Sequence, residues 1–190
     1  MALTYSEMVP LGKSAPKFEL VGIDGKTYSL ESFKGKSALV VMFICVHCPY
    51  VKAVEERLAR LARDFSAKGA QFVAINSNDV DKYPEDSPEN MQAQAKAHGF
   101  EFPYLVDETQ EVARAYDAVC TPDIFVFDRN QKLAYRGRID DSWKDPAKVK
   151  RHDLRDALEA VLAGKPASTD QIPSMGCSIK WKSADQAQAN

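Results

Sequence analysis

Ala38-Leu39-Val40-Val41-Met42-Phe43-Ile44-Cys45-Val46-His47-Cys48-Pro49 joins an unbroken apolar run to two cysteines and a proline. The run from Ser37 to Ile44 is rich in β-branched residues and reads as a central strand covered on both faces. Beyond Pro49 the period changes. Val51, Val54, Leu58, Leu61 and Phe65 recur at steps of three and four, while Lys52, Glu55, Glu56, Arg57, Arg60 and Arg63 take the other faces. That pattern predicts an amphipathic helix, with Pro49 near its start, where a missing N–H does least harm. Two thiols two residues apart at a strand-to-helix junction form a redox pair more often than anything else. The spacing lets a disulfide form and break with little backbone movement, and a helix start favours thiolate over thiol.

Outward from this stretch, Phe18 to Val21 and Thr27 to Leu30 read as short strands joined near Asp24-Gly25, followed by a helical turn to Phe33. Gln71 to Asn76 is a second buried strand, and a polar loop runs from Ser77 to Asp86. Ser87-Pro88 opens a helix that ends at His98-Gly99. Tyr104 to Val106 reads as a strand and Glu108 to Tyr116 as a short helix. Asp123 to Phe127 and Lys132 to Ile139 form a hairpin, and His152 to Ala163 is a closing helix. Strands alternating with helices call for an α/β layer architecture, and the late hairpin makes its central sheet mixed. The expected organisation is one domain over residues 1–164 and a tail over 165–190, docked through an apolar cluster at Met175 to Trp181.

The chain has 190 residues, 45% of them hydrophobic, enough for one well-buried core. A formal net charge of -2 gives no basic footprint for nucleic acid. The first ten residues lack the basic and apolar regions of a signal peptide, and the run at 38–46 is too short to span a bilayer. A cytoplasmic protein without a membrane partner is expected. Four cysteines are too few for a disulfide scaffold, so a close pair points to redox or metal chemistry.

The ordered set of motifs resembles the thioredoxin-like superfamily. More closely it resembles the redoxin branch, the alkyl hydroperoxide reductase and thiol-specific antioxidant family. The likeness is carried by Ala15-Pro16, Phe18, Leu20, Asp24-Gly25-Lys26, Ser29-Leu30 and Phe33-Lys34-Gly35-Lys36. It continues through Val40-Val41-Met42-Phe43, Cys45-Val46-His47-Cys48-Pro49, Thr121-Pro122, Ile124-Phe125-Val126-Phe127-Asp128 and Gly137-Arg138. It implies a thioredoxin-like fold with an N-terminal β-hairpin, and a cis Pro122 facing the thiols with Thr121 beside it. Leu39 stands where thioredoxin has a buried aspartate. Val41 and Cys45 stand where peroxiredoxins have proline and threonine.

Thiol–disulfide exchange is the expected activity. Cys45, at the exposed edge of the helix, is expected to attack with a lowered pKa, and Cys48 to resolve the mixed disulfide. Partial positive charge on His47 would stabilise the Cys45 thiolate. Disulfides of proteins or small molecules would be substrates, a thioredoxin-type or small thiol the electron donor, and no dissociable cofactor is implied. The alternatives are a thiol peroxidase, suggested by Cys48-Pro49, and more distantly a Cu(I)-binding redoxin. Cys120 and Cys177 are possible accessory thiols, each read first as a simple free thiol or apolar filler. Arg136 and Arg138 are read first as solvated strand-edge residues. Asn76, Asn78 and Asp79 follow a strand and are candidates to line the site, whereas His98 and His152 fall on helix surfaces without a role.

Overall fold

The computed structural model describes residues 3–183. In chain order its elements are β1 (Leu3–Tyr5), β2 (Glu19–Gly22), β3 (Thr27–Ser29), β4 (Ala38–Phe43), α1 (Pro49–Lys52), α2 (Glu55–Ser66) and β5 (Ala70–Asn76). There follow α3 (Pro88–His98), β6 (Tyr104–Val106), α4 (Glu111–Ala115), β7 (Cys120–Thr121), β8 (Asp123–Asp128), β9 (Leu133–Arg136), α5 (Asp153–Leu162) and β10 (Met175–Ser178). Seven strands form a mixed sheet in the order β3-β2-β6-β5-β4-β8-β9.

The opening run is the centre of this sheet. β4 pairs in parallel with β5 (Val40 opposite Phe72) and antiparallel with β8 (Val40 opposite Val126). Because successive side chains point to opposite faces, one strand serves two cores. Val40, Met42 and Ile44 pack with Leu58, Phe65, Leu154 and Leu158 of α2 and α5. Leu39, Val41 and Phe43 pack with Phe18, Phe33, Tyr116 and Phe125 on the other side. A continuous apolar run is what a strand buried on both faces requires.

The helix expected from Val51 to Phe65 is broken. α1 ends at Lys52, Val54 N–H bonds back to the Val51 carbonyl at 2.9 Å in a three-residue step, and α2 resumes the four-residue pattern from Leu58 N–H to Val54. Around α3 the reading holds closely: the Ser87 hydroxyl accepts from Asn90 N–H, and Gly99 ends the helix in the left-handed region at φ 64°. The helix expected from Glu108 shortens to α4, because Gln110 itself adopts φ 63°. β9 stops at Arg136 rather than Ile139, and Gly137 passes so close to the Ile172 carbonyl that a Cβ would lie 2.5 Å from it.

A second sheet, in the order β1-β10-β7, was not anticipated. β10 lies between the other two, with Leu3 opposite Cys177 on one side and Thr121 opposite Cys177 on the other. The chain beyond it is held as firmly. Asp79 N–H donates to the Lys180 carbonyl at 2.8 Å, Lys180 N–H to Asn78 Oδ1 at 2.8 Å, and Gln110 Nε2 to the Lys180 carbonyl at 2.8 Å. Arg114 lies over the Trp181 ring, 4.3 Å from its centre. Among the described residues no helix is long and apolar enough to cross a membrane.

Candidate redox site

The two sulfurs of Cys45 and Cys48 lie together where β4 gives way to α1. Ile44 continues the strand by one hydrogen bond, donating to Ile75, and the chain then turns through Cys45-Val46-His47. Pro49 takes the first helical position, so Cys48 and not Cys45 is the residue that caps α1. The exposed position expected for Cys45 is corrected: neither cysteine has solvent-exposed surface. The reduced pair shares a hydrogen bond, which pushes the Cys45 thiol well above its ordinary value, with burial and the Asp86 carboxylate adding to the rise. The same bond from Cys45 brings Cys48 down to about 5 against burial, helped by further donors: the thiol of Cys177, the Thr121 hydroxyl and Val51 N–H.

Thr121 bridges the pair. Its hydroxyl lies 3.4 Å from Cys45 Sγ and its carbonyl 3.1 Å from Cys48 Sγ, placed to accept whenever Cys48 holds a proton. The peptide from Thr121 to Pro122 is cis. Beside Pro122 opens a cavity of about 210 Å³, lined mainly by apolar and aromatic groups that include Tyr5, Tyr50, Val54 and Trp143, together with the charged Arg138, Asp140 and Asp141.

Asp86 organises the loop from the other side. One carboxylate oxygen accepts Val46 N–H at 2.8 Å and His47 N–H at 3.0 Å; the other takes His47 Nδ1 at 2.6 Å and Asn78 Nδ2 at 2.7 Å. These donors favour its charged form and hold its pKa below the usual carboxylate range, although burial, the largest single influence, opposes them. The His47 ring stacks on Tyr83 at 5.5 Å. His47 is thus fixed by a carboxylate rather than left free between the thiols. Cys45, His47 and Asp86 bring three ligand-type atoms within 4.8 Å of one another, the one such set among the described residues. Four donors already engage the carboxylate, which makes Asp86 the anchor of the loop first.

A family model described as AhpC/TSA matches residues 11–136. The chain belongs to the AhpC/TSA family. A crystal structure from Geobacillus kaustophilus, of an uncharacterized conserved protein, shares 54% identity and a TM-score of 0.92, covering 97% of this chain and 98% of that one. The thioredoxin domain of a thiol-disulfide oxidoreductase from Bacteroides vulgatus shares the fold at 20% identity and a TM-score of 0.58, over 68% of this chain and 89% of that one. The thiol-disulfide oxidoreductase ResA of Bacillus thuringiensis is 24% identical over 130 residues, 68% of this chain and 70% of its own. The thioredoxin-like fold and the redoxin resemblance expected from the motifs are those observed.

Other residues singled out in this AhpC/TSA chain take different places. Arg136, expected in solvent, is wholly buried: it pairs with Asp123 at 2.9 Å, donates to the Asp117 carbonyl at 2.6 Å and lies over the Phe125 ring. Leaving β9 inward, it finds a carboxylate and an aromatic face that replace water. Arg138 pairs with Asp153 at 2.9 Å. His98, expected on a helix surface, is half-buried against Glu55 at 2.9 Å, and Gln94 joins Glu55 to the Cys45 carbonyl. His152 is exposed at the start of α5. Asn76 and Asn78 are buried and brace Asp86 from beneath rather than facing outward. Asp79 is buried beside Lys82. Cys120 is buried, its thiol directed at the Pro122 carbonyl at 3.7 Å and pushed far up by that burial. Asp86 is the site residue that sequence reading missed. Its only signal was its position just before the helix start at Ser87-Pro88.

Proposed function

We propose that this AhpC/TSA protein is a thiol–disulfide oxidoreductase working through Cys45 and Cys48. The observation that carries the reading is the pair of hydrogen-bonded sulfurs held against the hydroxyl and the carbonyl of Thr121. The name of the related ResA protein supports it. The donors gathered around Cys48 support it as the attacking sulfur in place of the Cys45 expected from the sequence, and trapping separates the two orders, because only the attacking cysteine still forms a mixed disulfide when its neighbour is replaced by serine. The Cys48 thiolate attacks a substrate disulfide and releases one substrate thiol. Cys45 then gives up its proton and attacks Cys48 Sγ, which forms the Cys45–Cys48 disulfide and expels the second substrate sulfur as a thiol. The mainly apolar cavity beside Pro122 suits a partly aromatic neighbour of the substrate disulfide. A thioredoxin-type or small-molecule thiol returns the pair to the reduced state in a reducing, cytoplasm-like compartment.

The test is equilibration of the reduced protein with glutathione buffers, acid quenching and peptide mass mapping. A Cys45–Cys48 disulfide that titrates with the glutathione potential is expected, and Cys48→Ser abolishes turnover of a small disulfide. A pair that stays reduced in oxidising buffer refutes the reading.

The low-lying Cys48 thiolate followed by Pro49 favours a second reading, a thiol peroxidase in which Cys48 becomes a sulfenic acid that Cys45 condenses with. Mixing with hydrogen peroxide in a stopped-flow instrument separates the two: no fast phase rejects the peroxidase.

A further inference from the structure

We infer that Cys177 is a third redox thiol of this site, and that the disulfide can move from Cys45–Cys48 to Cys48–Cys177. The inference rests on the exchange reading above and adds a partner to it.

Three independent observations converge on Cys177. First, its side chain is hydrogen-bonded to Cys48, so Cys48 lies between two thiols. Second, strand register places Cys177 directly opposite Thr121, the residue whose hydroxyl and carbonyl hold both sulfurs of the pair. Directly opposed residues on antiparallel strands have Cβ atoms about 4.5–5.5 Å apart, so the register itself delivers the sulfur to the site. Third, β10 approaches β7 so closely at Gly176 that a Cβ there would lie 2.0 Å from the Thr121 carbonyl oxygen. Only glycine lets the strand lie this near, and β1 on its outer edge keeps it there.

The strand occupies the backbone edge of β7 as an added peptide would, by antiparallel pairing. It therefore presents Cys177 to Cys48 as an internal counterpart of an external thiol. Cys120 neighbours the site too, but its thiol is taken up by the Pro122 carbonyl.

The step is an isomerisation. Cys177 loses its proton and its sulfur attacks Cys48 Sγ in the Cys45–Cys48 disulfide. The Cys48–Cys177 bond forms, the Cys45–Cys48 bond breaks, and Cys45 leaves with the electron pair and takes up a proton. No electrons enter or leave the protein, so no further oxidant is required.

Two measurements test it. Cys45→Ser with Cys120→Ser leaves Cys48 and Cys177 as the only thiols. Treated with oxidised glutathione, this variant is expected to form an intramolecular Cys48–Cys177 disulfide, read by peptide mass mapping. A variant that folds but accumulates only glutathionylated Cys48 overturns the inference. The second measurement uses the unaltered chain, which removes any dependence on the variant's folding. Across a series of glutathione potentials it is expected to contain both disulfides, in a ratio that does not change with potential, because their interconversion consumes no electrons. Cys45–Cys48 alone at every potential overturns the inference and leaves the exchange reading standing. Neither disulfide at any potential overturns both.

Discussion

At Cys48 a buried sulfur meets donors on several sides, and the charge it carries follows from them. Cys45 contributes most to lowering its pKa, followed by Cys177, the Thr121 hydroxyl and Val51 N–H. Ultraviolet absorbance of the thiolate is expected to rise with a midpoint near pH 5 in the reduced protein, and Cys45→Ala is expected to move that midpoint upward. An unmoved midpoint would remove Cys45 as the main stabilising donor. The sign carries to folding. The lowered Cys48 pKa, against an unfolded value of roughly 8.5, contributes stability that is lost as pH falls toward 5, whereas the raised Cys45 pKa contributes stability that is lost as pH rises beyond the ordinary thiol range. Cysteine spacing made the dithiol legible, and Pro49 held the clue to its geometry. A proline at the first helical position makes the preceding cysteine the cap, so the helix starts at Cys48 and not at Cys45. Asp86 was illegible because an acidic residue in a polar loop looks solvated until the fold brings Val46, His47 and Asn78 onto it.

Among the elements, long periodic stretches were readable and short strands were not. β4, α2, β5 and α3 carry enough residues to display a period, whereas β1, β7 and β10 have three, two and four. The apolar cluster at Met175 to Trp181 signalled contact but not register, and register is what brings Cys177 to Cys48. Gly176→Ala tests the element that sets it. A methyl group 2.0 Å from a carbonyl oxygen forces β10 away from β7, and such overpacking costs about 1–3 kcal/mol. At this chain length each kcal/mol lowers the melting temperature by about 2–4 °C. Differential scanning calorimetry should show that fall, and iodoacetamide should label Cys48 faster than in the parent protein. Unchanged melting and labelling would mean that β10 does not seal the sulfurs.

For the molecule as a whole, a sheet buried on both faces leaves little room for charge, yet Asp123 and Arg136 sit wholly inside it. Burial raises the Asp123 pKa to about 6 even with Arg136 beside it. Removing one partner strands the other, a loss of about 3–5 kcal/mol. Arg136→Met is expected to lower the urea midpoint by that measure, and Asp123→Asn added to it to recover a large part, with an unchanged denaturant slope. Failure of the double variant to recover would assign the loss to packing on Phe125 and the Asp117 carbonyl. The enclosure of the interior also governs how the protein presents itself to chemistry in a cell extract. Cys45, Cys48 and Cys120 expose no surface and Cys177 only 2%. A maleimide added briefly to native extract would label these sulfurs slowly and would score part of a reduced population as oxidised. Thiol counts on this protein become meaningful only once acid has frozen exchange and denaturant has opened the fold.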